Sequence, residues 1–244
     1  MYVNKEDIRK YIWKTMEEKN IAIFPRPVYH RIPNFRGSNR AGLRLVRSKY
    51  FDEAKVVFCN PDSPQRIVRE HVILGGKTLI MASPRLRQGF IVIRRGDVPR
   101  GKERYASTIA GAFKYGKVTD DLSGLTIDLK VTGCVAVTIE GAKLGKGGGY
   151  SDLEYAILRE IGAIGEDTPV VTSVHEIQIV EYIPMDVHDV PVDAIFTPNR
   201  YIKTLGKYPK PRGIYWDKLD KDKIESIPIL KRMYLSRGAG HGAE

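Results

Sequence analysis

Apolar and polar positions along the chain follow two rhythms. Over residues 4–19, Ile8, Tyr11, Ile12, Thr15 and Met16 fall at three- and four-residue spacing behind a capping Asn4, which predicts an amphipathic first helix. Between residues 20 and 40, Pro25, Pro27, Pro33 and Gly37 interrupt any period and predict an ordered loop. KVVFCN (55–60) then reads as a short apolar strand, Pro64 to Leu74 as a helix and TLIMAS (78–83) as a second strand, a β-α-β unit that implies parallel pairing. FIVIRR (90–95), LTIDLKV (125–131) and CVAVTI (134–139) predict further strands, followed by a helix from Tyr150 to Ile161. PVVTSVH (169–175), IQIVEYI (177–183) and DAIFT (193–197) complete the predicted β content, and the alternation of the two element types predicts an α/β layered fold. After Pro198 the chain is rich in Lys, Pro and Tyr and has little periodicity. Residues 1–200 are therefore read as one α/β domain, and 201–244 as an extension packed on it with a frayed, glycine-rich end.

Composition narrows the function classes. With 42% hydrophobic and 28% charged residues, and no apolar run near the roughly 18 residues a bilayer span needs, the 244-residue chain reads as a globular protein outside the membrane. Its first residues carry charges where an export signal needs an apolar centre, so a cytoplasmic location is expected. Cys59 and Cys134 lie in apolar runs and read as reduced core residues. The net charge of +11 is uneven: residues 1–100 hold 21 Lys+Arg against 9 Asp+Glu, whereas residues 151–200 hold 2 against 10. Such a balance suits a nucleotide or a nucleic acid equally well.

One segment concentrates the candidate chemistry. KLGKGGGYSDLE (143–154) places four glycines and two lysines ahead of the helix expected at Tyr150. Consecutive glycines let backbone amides turn inward as a nest, and a helix start adds unpaired N–H groups, so the segment reads as a phosphate cradle or as a tightly packed turn. It is neither of the two familiar phosphate loops. Lys146 is followed by Gly147 where a Walker loop needs Ser or Thr, and Tyr150 stands where a dinucleotide fingerprint needs its last glycine.

Three segments together resemble the 5-formyltetrahydrofolate cyclo-ligase (methenyltetrahydrofolate synthetase) family. Val131, Gly133 and Ala136 match its strand, and Leu144, Gly145, Gly147, Gly148, Gly149, Tyr150 and Asp152 its glycine loop. Lys5 and Arg9 match the family's K-x-x-x-R pair, and Pro184, His188, Asp189, Val192 and Asp193 match a segment near its end. Lys143 stands where the family has arginine, Ser151 replaces an aromatic that borders the folate pocket, and Leu153 replaces a common arginine. GKGGGYSDLEYAIL, FPRPVYHRIPNF and NPDSPQRIVRE look closest to the divergent methenyltetrahydrofolate synthetase domain-containing branch.

The resemblance implies a three-layer, open and largely parallel sheet with helices on both faces, similar to sugar isomerases and CoA transferases. It implies ATP and Mg²⁺ as cofactors and a reduced folate or related pterin as substrate, cyclised from the 5-formyl to the 5,10-methenyl form. No protein nucleophile is then required, because positioning and charge neutralisation carry phosphoryl transfer. Gly145, Lys146, Gly147, Gly148, Gly149 and Tyr150 become the phosphate cradle, with Lys5, Arg9 and Lys143 as further cations. Asp152 and Asp189 are read as magnesium ligands, or as a helix-start cap and a turn former respectively. FPRPVYHRIPNFRGSNRAG and SPRLRQG (83–89) are expected to wall the pterin pocket or bind an anionic tail, or to be plain structural loops. A monomer or weak homodimer is expected. The alternative is a non-catalytic protein of the same fold that binds a nucleotide or RNA.

Overall fold

The structure, a computed structural model, describes residues 4–239; the frayed end expected beyond residue 239 lies outside them. Asn4 accepts from the N–H groups of Glu6 and Asp7 and so starts helix α1 (Lys5–Glu18), as its sequence predicts. The hydrophobic pattern leaves 41–54 without an element, yet the chain forms α2 (Ser38–Val46) and α3 (Lys49–Glu53) there. Arginines interleave with the apolar positions of α2, and Gly42, a poor helix former, is required because Ile67 Cγ2 lies 2.1 Å from where its Cβ would sit.

The main sheet contains β1 (Val56–Cys59), β2 (Thr78–Ala82), β3 (Phe90–Ile93), β4 (Lys117–Thr119) and β5 (Leu129–Thr132). Helix α4 (Arg66–Leu74) links β1 to β2, and α5 (Glu103–Ala106) and α6 (Ile109–Tyr115) lie between β3 and β4. After β5 a two-stranded ribbon, β6 (Ala136–Val137) with β7 (Lys143–Leu144), leads into α7 (Tyr150–Glu160). The chain returns through β8 (Val170–Ser173), β9 (Ala194–Phe196) and β10 (Tyr201–Lys203), then ends in α8 (Lys221–Ser226) and α9 (Pro228–Ala239). The sheet order is β10-β9-β8-β5-β1-β2-β3-β4. Five consecutive strands, β9 to β2, are parallel; at the edges β10 pairs antiparallel with β9, β3 with β2, and β4 with β3. This is the open, largely parallel α/β sheet that the resemblance implies.

Alternation along the strands sorts the core into two layers. Phe58, Ile80, Ala82 and Val92 pack with α7 on one face, whereas Val57, Cys59, Leu79, Met81 and Ile93 pack with α2, α4 and α6 on the other. Ile224, Ile227, Ile229 and Leu230 are buried in the α7 layer. Both cysteines are buried, and burial pushes each thiol up to about 11.

Two predicted strands take other forms. In CVAVTI only Ala136 and Val137 pair, with β7 instead of the main sheet. IQIVEYI turns through a short 3₁₀ helix at Glu176–Gln178. There the buried Gln178 amide donates to the carbonyls of Cys134 and Val135 and accepts from His175 N–H, and these side-chain bonds replace a ladder. Cys134 and Val137 serve the α7 layer, whereas Val135 and Ala136 of the first segment and Ile183 of the second, with Leu144, join a third core against Ile8, Ile12, Trp13 and Met16 of α1.

That third core holds α1 against the ribbon that carries the glycine loop. Ile12→Ala is expected to lower stability by about 2–5 kcal/mol through loss of buried methylene groups and the cavity left behind. Urea unfolding checks it: the midpoint falls while the slope stays constant.

Candidate functional site

The two central strands β1 and β5 part company at their C-terminal ends. From β1 the chain crosses through α4 on one face, and from β5 it reaches α7 on the other. In open α/β sheets this divergence leaves a crevice at the strand ends, where ligands bind. Here the crevice is a cleft of about 660 Å³. Asn60, Asp62 and Ser63 border it after β1, Ser83 and Arg85 after β2, and Gly133 after β5. Gly133 permits a close approach, since a Cβ there would lie 2.7 Å from Asp62 Oδ2. The buried Arg69 fixes the turn after β1 by donating to the carbonyls of Asn60, Asp62 and Ser107.

The glycine loop forms another wall, where Gly145, Lys146, Gly148, Gly149, Tyr150 and Asp152 line the cleft. Gly147 and Gly149 adopt φ of 106° and 69°, a region that disfavours any side chain. Gly149 is the N-cap of α7, no side chain among the described residues caps that end, and Tyr150, Ser151 and Asp152 of its first turn border the cleft. Lys146 is exposed beside them. From the proline-rich loop, Pro25, His30, Arg31 and Ile32 close the opposite side. Both segments expected near a pterin, FPRPVYHRIPNF and SPRLRQG, thus contribute to the cleft.

Lys5, Arg9, Lys143, Gly147 and Asp189 are absent from the cleft lining among the described residues, and a Cβ on Gly147 would instead meet the Arg9 guanidinium at 3.6 Å. Arg9 Nε donates to Gly145 O at 2.8 Å and its Nη1 pairs with Glu6, so the guanidinium tethers α1 to the loop. Lys143, expected on phosphate, is instead 1% exposed and donates to Asp152 Oδ1 at 2.9 Å, the oxygen that also accepts Val190 N–H. Burial pulls the Lys143 ammonium down, but Asp152 more than restores it and holds it above the usual lysine range. Lys5 Nζ donates to Asp186 and to Asp189 Oδ2, which accepts Asp186 N–H as well. Burial opposes the Lys5 charge, and the two carboxylates overcome it. Each of these cations already has an internal acceptor, which is why none projects into the cleft. Asp193, the last residue of the matching segment, accepts Val170 N–H and pairs with Lys210, a structural role.

Four functional candidates escape sequence reasoning. Glu154 lines the cleft floor, and Asn60 Nδ2 donates to it at 2.6 Å. Beneath it Lys130 Nζ lies 3.7 Å from the Glu154 carboxylate and 4.0 Å from the Phe58 ring centre, with no hydrogen-bond partner. Burial drives Lys130 down to about 8 and raises Glu154. Burial likewise raises Asp62, against the pull of Lys146 and Arg69. The fourth is Lys223 of α8, whose Nζ lies 3.4 Å from where a Cβ on Gly149 would sit. A lysine inside the apolar run LTIDLKV was a legible signal for the floor; nothing local marks Lys223.

The sheet, the crevice at its diverging strands and a glycine loop at the start of α7 beside an exposed lysine define an α/β protein with a cleft at its switch point. The sequence pattern of the 5-formyltetrahydrofolate cyclo-ligase family matches residues 2–198. A methenyltetrahydrofolate synthase domain-containing protein of Homo sapiens is 43% identical over 238 residues, covering 95% of this chain and 61% of its own length. Its Bos taurus counterpart is 42% identical over 238 residues, 95% of this chain and 62% of its own. The chain belongs to the 5-formyltetrahydrofolate cyclo-ligase family and spans about three fifths of the length of these relatives. The solution structure of Aquifex aeolicus 5,10-methenyltetrahydrofolate synthetase shares the fold, with a TM-score of 0.51 and 20% identity over 82% of this chain and 93% of that one.

The Lys130–Glu154 pair carries a stability prediction. Lys130→Met alone leaves a buried carboxylate unpaired and is expected to cost about 3–5 kcal/mol, whereas Lys130→Met with Glu154→Leu is expected to match or exceed the parent. Because Lys130 titrates near 8 when folded and at 10.5 otherwise, the unfolded chain holds the extra proton between those values. Stability therefore rises with pH across that window in the parent and loses this component in the double variant, as denaturation at pH 7.5 and pH 10 checks.

Proposed function

We propose that the cleft takes ATP phosphates on the glycine loop and a reduced folate beside them, and that the chain is an ATP- and Mg²⁺-dependent cyclo-ligase. The substrate would be 5-formyltetrahydrofolate or a related formylated pterin, closed to its 5,10-methenyl form. The observation that carries this reading is the start of α7, without a side-chain cap and bordering the cleft together with Lys146 at the sheet's switch point. Gly147 and Gly149 set the loop's path through their positive φ, and Lys146 and Lys223 supply mobile charge there. Arg9 holds the loop in place through Gly145 without meeting the ligand itself.

The donor set fits magnesium at one position. Asp152 lines the cleft, and Lys143 and Val190 engage only its Oδ1, leaving the second oxygen for a hard cation that retains phosphate and water ligands. Bound there, the metal would neutralise charge on the transferring phosphoryl group. Asp189 belongs to a separate cluster outside the cleft, where its ligand atom and those of Asp186 and His188 lie within 4.8 Å of one another and Lys5 already pairs with both carboxylates. On the substrate side, Arg31 and Arg85 offer charge to an anionic tail, and Glu154, Asp62 and Asn60 offer acceptors and donors to a heterocycle edge.

A non-catalytic nucleotide-binding reading is favoured by one observation: Lys5, Arg9 and Lys143 are engaged by protein groups. Turnover separates the two readings. With ATP, Mg²⁺ and 5-formyltetrahydrofolate, methenyl absorbance is expected to grow; ATP binding without it favours the second. Gly147→Val, which forces a branched side chain into φ of 106°, is expected to weaken ATP binding at least tenfold while leaving the thermal midpoint within a few degrees. Gly148→Val should do less by dihedral conflict, because the positive φ values belong to its neighbours and its Cβ meets only the Tyr150 ring, at 3.0 Å. Unchanged ATP affinity in folded Gly147→Val, measured by calorimetry, would remove the cradle.

A further inference from the structure

A second cavity, of about 770 Å³, lies at the β10 edge of the sheet and shares no lining residue with the cleft. Arg40 and Arg44 line it from successive turns of α2, at i, i+4 spacing, and Arg47 lines it from the residue that caps the helix's C-terminal end. Lys49 and Tyr50 of α3 line it as well, together with Phe196 of β9 and Tyr201 of β10. Its charge is of one sign: no carboxylate is among the lining residues, and the ion pairs of the described residues all lie elsewhere. Arg44 donates through Nη2 to Pro198 O, and its buried Nε has no partner. A guanidinium N–H removed from water without an acceptor is unusual in a native protein.

The aromatic side of the cavity is built, not incidental. Tyr50, Phe196 and Tyr201 touch one another with ring centres 5.2 to 6.4 Å apart, and the two tyrosine hydroxyls meet at 3.3 Å. Phe196 is buried and Tyr201 is 44% exposed, so the trio is anchored in the sheet and offers ring surface to solvent. Cations suited to phosphate by their planar forks, opposite aromatic rings suited to stacking, select a ligand that is anionic at one end and flat at the other. The volume falls within the range of small-ligand sites.

The geometry points to this cavity as a nucleotide site, with a phosphate held by Arg40, Arg44 and Arg47 and a base stacked against Tyr50 and Tyr201. The nucleotide is either free or one unit of a single strand. The inference is independent of the cyclo-ligase reading, since none of these residues borders the cleft.

The full chain titrated with UMP and with an eight-residue oligouridylate, followed by tyrosine fluorescence, tests it. Binding of either probe is expected, weakened at least tenfold by Arg40→Glu with Arg47→Glu, two exposed positions where folding is not at risk. Tyr201→Leu is expected to weaken it about tenfold by removing the stacking face, and both variants should keep the parent's circular dichroism and ATP affinity. Tighter binding of the oligomer with a steep fall in added salt identifies a strand as the source; equal affinity for UMP identifies a free nucleotide. The inference is overturned if neither probe binds, or if the double arginine variant binds as the parent does. It is equally overturned if Tyr201→Leu changes nothing while inorganic phosphate competes as well as UMP, for then the arginines are only an anion patch.

Discussion

Lys143 and Asp152 face each other across 2.9 Å, the lysine almost wholly withdrawn from water, and the same carboxylate oxygen takes the Val190 amide. Three segments are thereby joined: the end of the ribbon, the first turn of α7 nine residues on, and the 184–193 loop. Withdrawing a charge from water is costly unless the partner geometry holds, so this contact sets the loop's exit and the direction of α7 together. Arg9 fixes the loop from the other side through a single carbonyl. Between these two restraints the glycines need no side chains of their own to keep a defined path.

The cleft therefore separates holding from contacting. Cations with internal acceptors form a brace behind the loop, and what the loop and the first turn of α7 present to the cleft is backbone, Lys146, Tyr150, Ser151 and Asp152. A backbone cradle has fixed dipoles and no rotamers to order when an anion arrives, which favours a site positioned in advance. The floor follows other physics. Glu154 sits above a lysine that burial drives toward neutrality, and Asn60 and Ser151 complete the polar layer.

Much of this was legible in the chain. α1 declares itself because cap and period agree, β1 and β2 through short apolar runs, α4 and α7 through helical period, and the glycine loop because no packed core needs that density of bare backbone. The segments 134–139 and 177–183 misled for one reason: apolar alternation reports burial, and here burial in the third core is achieved by irregular chain stapled through Gln178. Residues 38–54 stayed silent because arginines interrupt the apolar positions of α2. The matches at Lys5, Arg9 and Lys143 located the right neighbourhood, but sequence cannot say that an ammonium already has a carboxylate, since Asp186 lies 181 residues from Lys5.

The placement of Ile224, Ile227, Ile229 and Leu230 within the α7 layer bears on how the molecule comes into being. A chain made from its first residue onward releases both lips of the cleft long before the residues that seal the layer under α7. Until residue 230 has left the ribosome, apolar side chains of the sheet and of α7 on that face lack their last cover. Lys223 cannot take its place near Gly149 before then either. The layer beneath α7 is thus completed by a segment that lies outside the 2–198 family match.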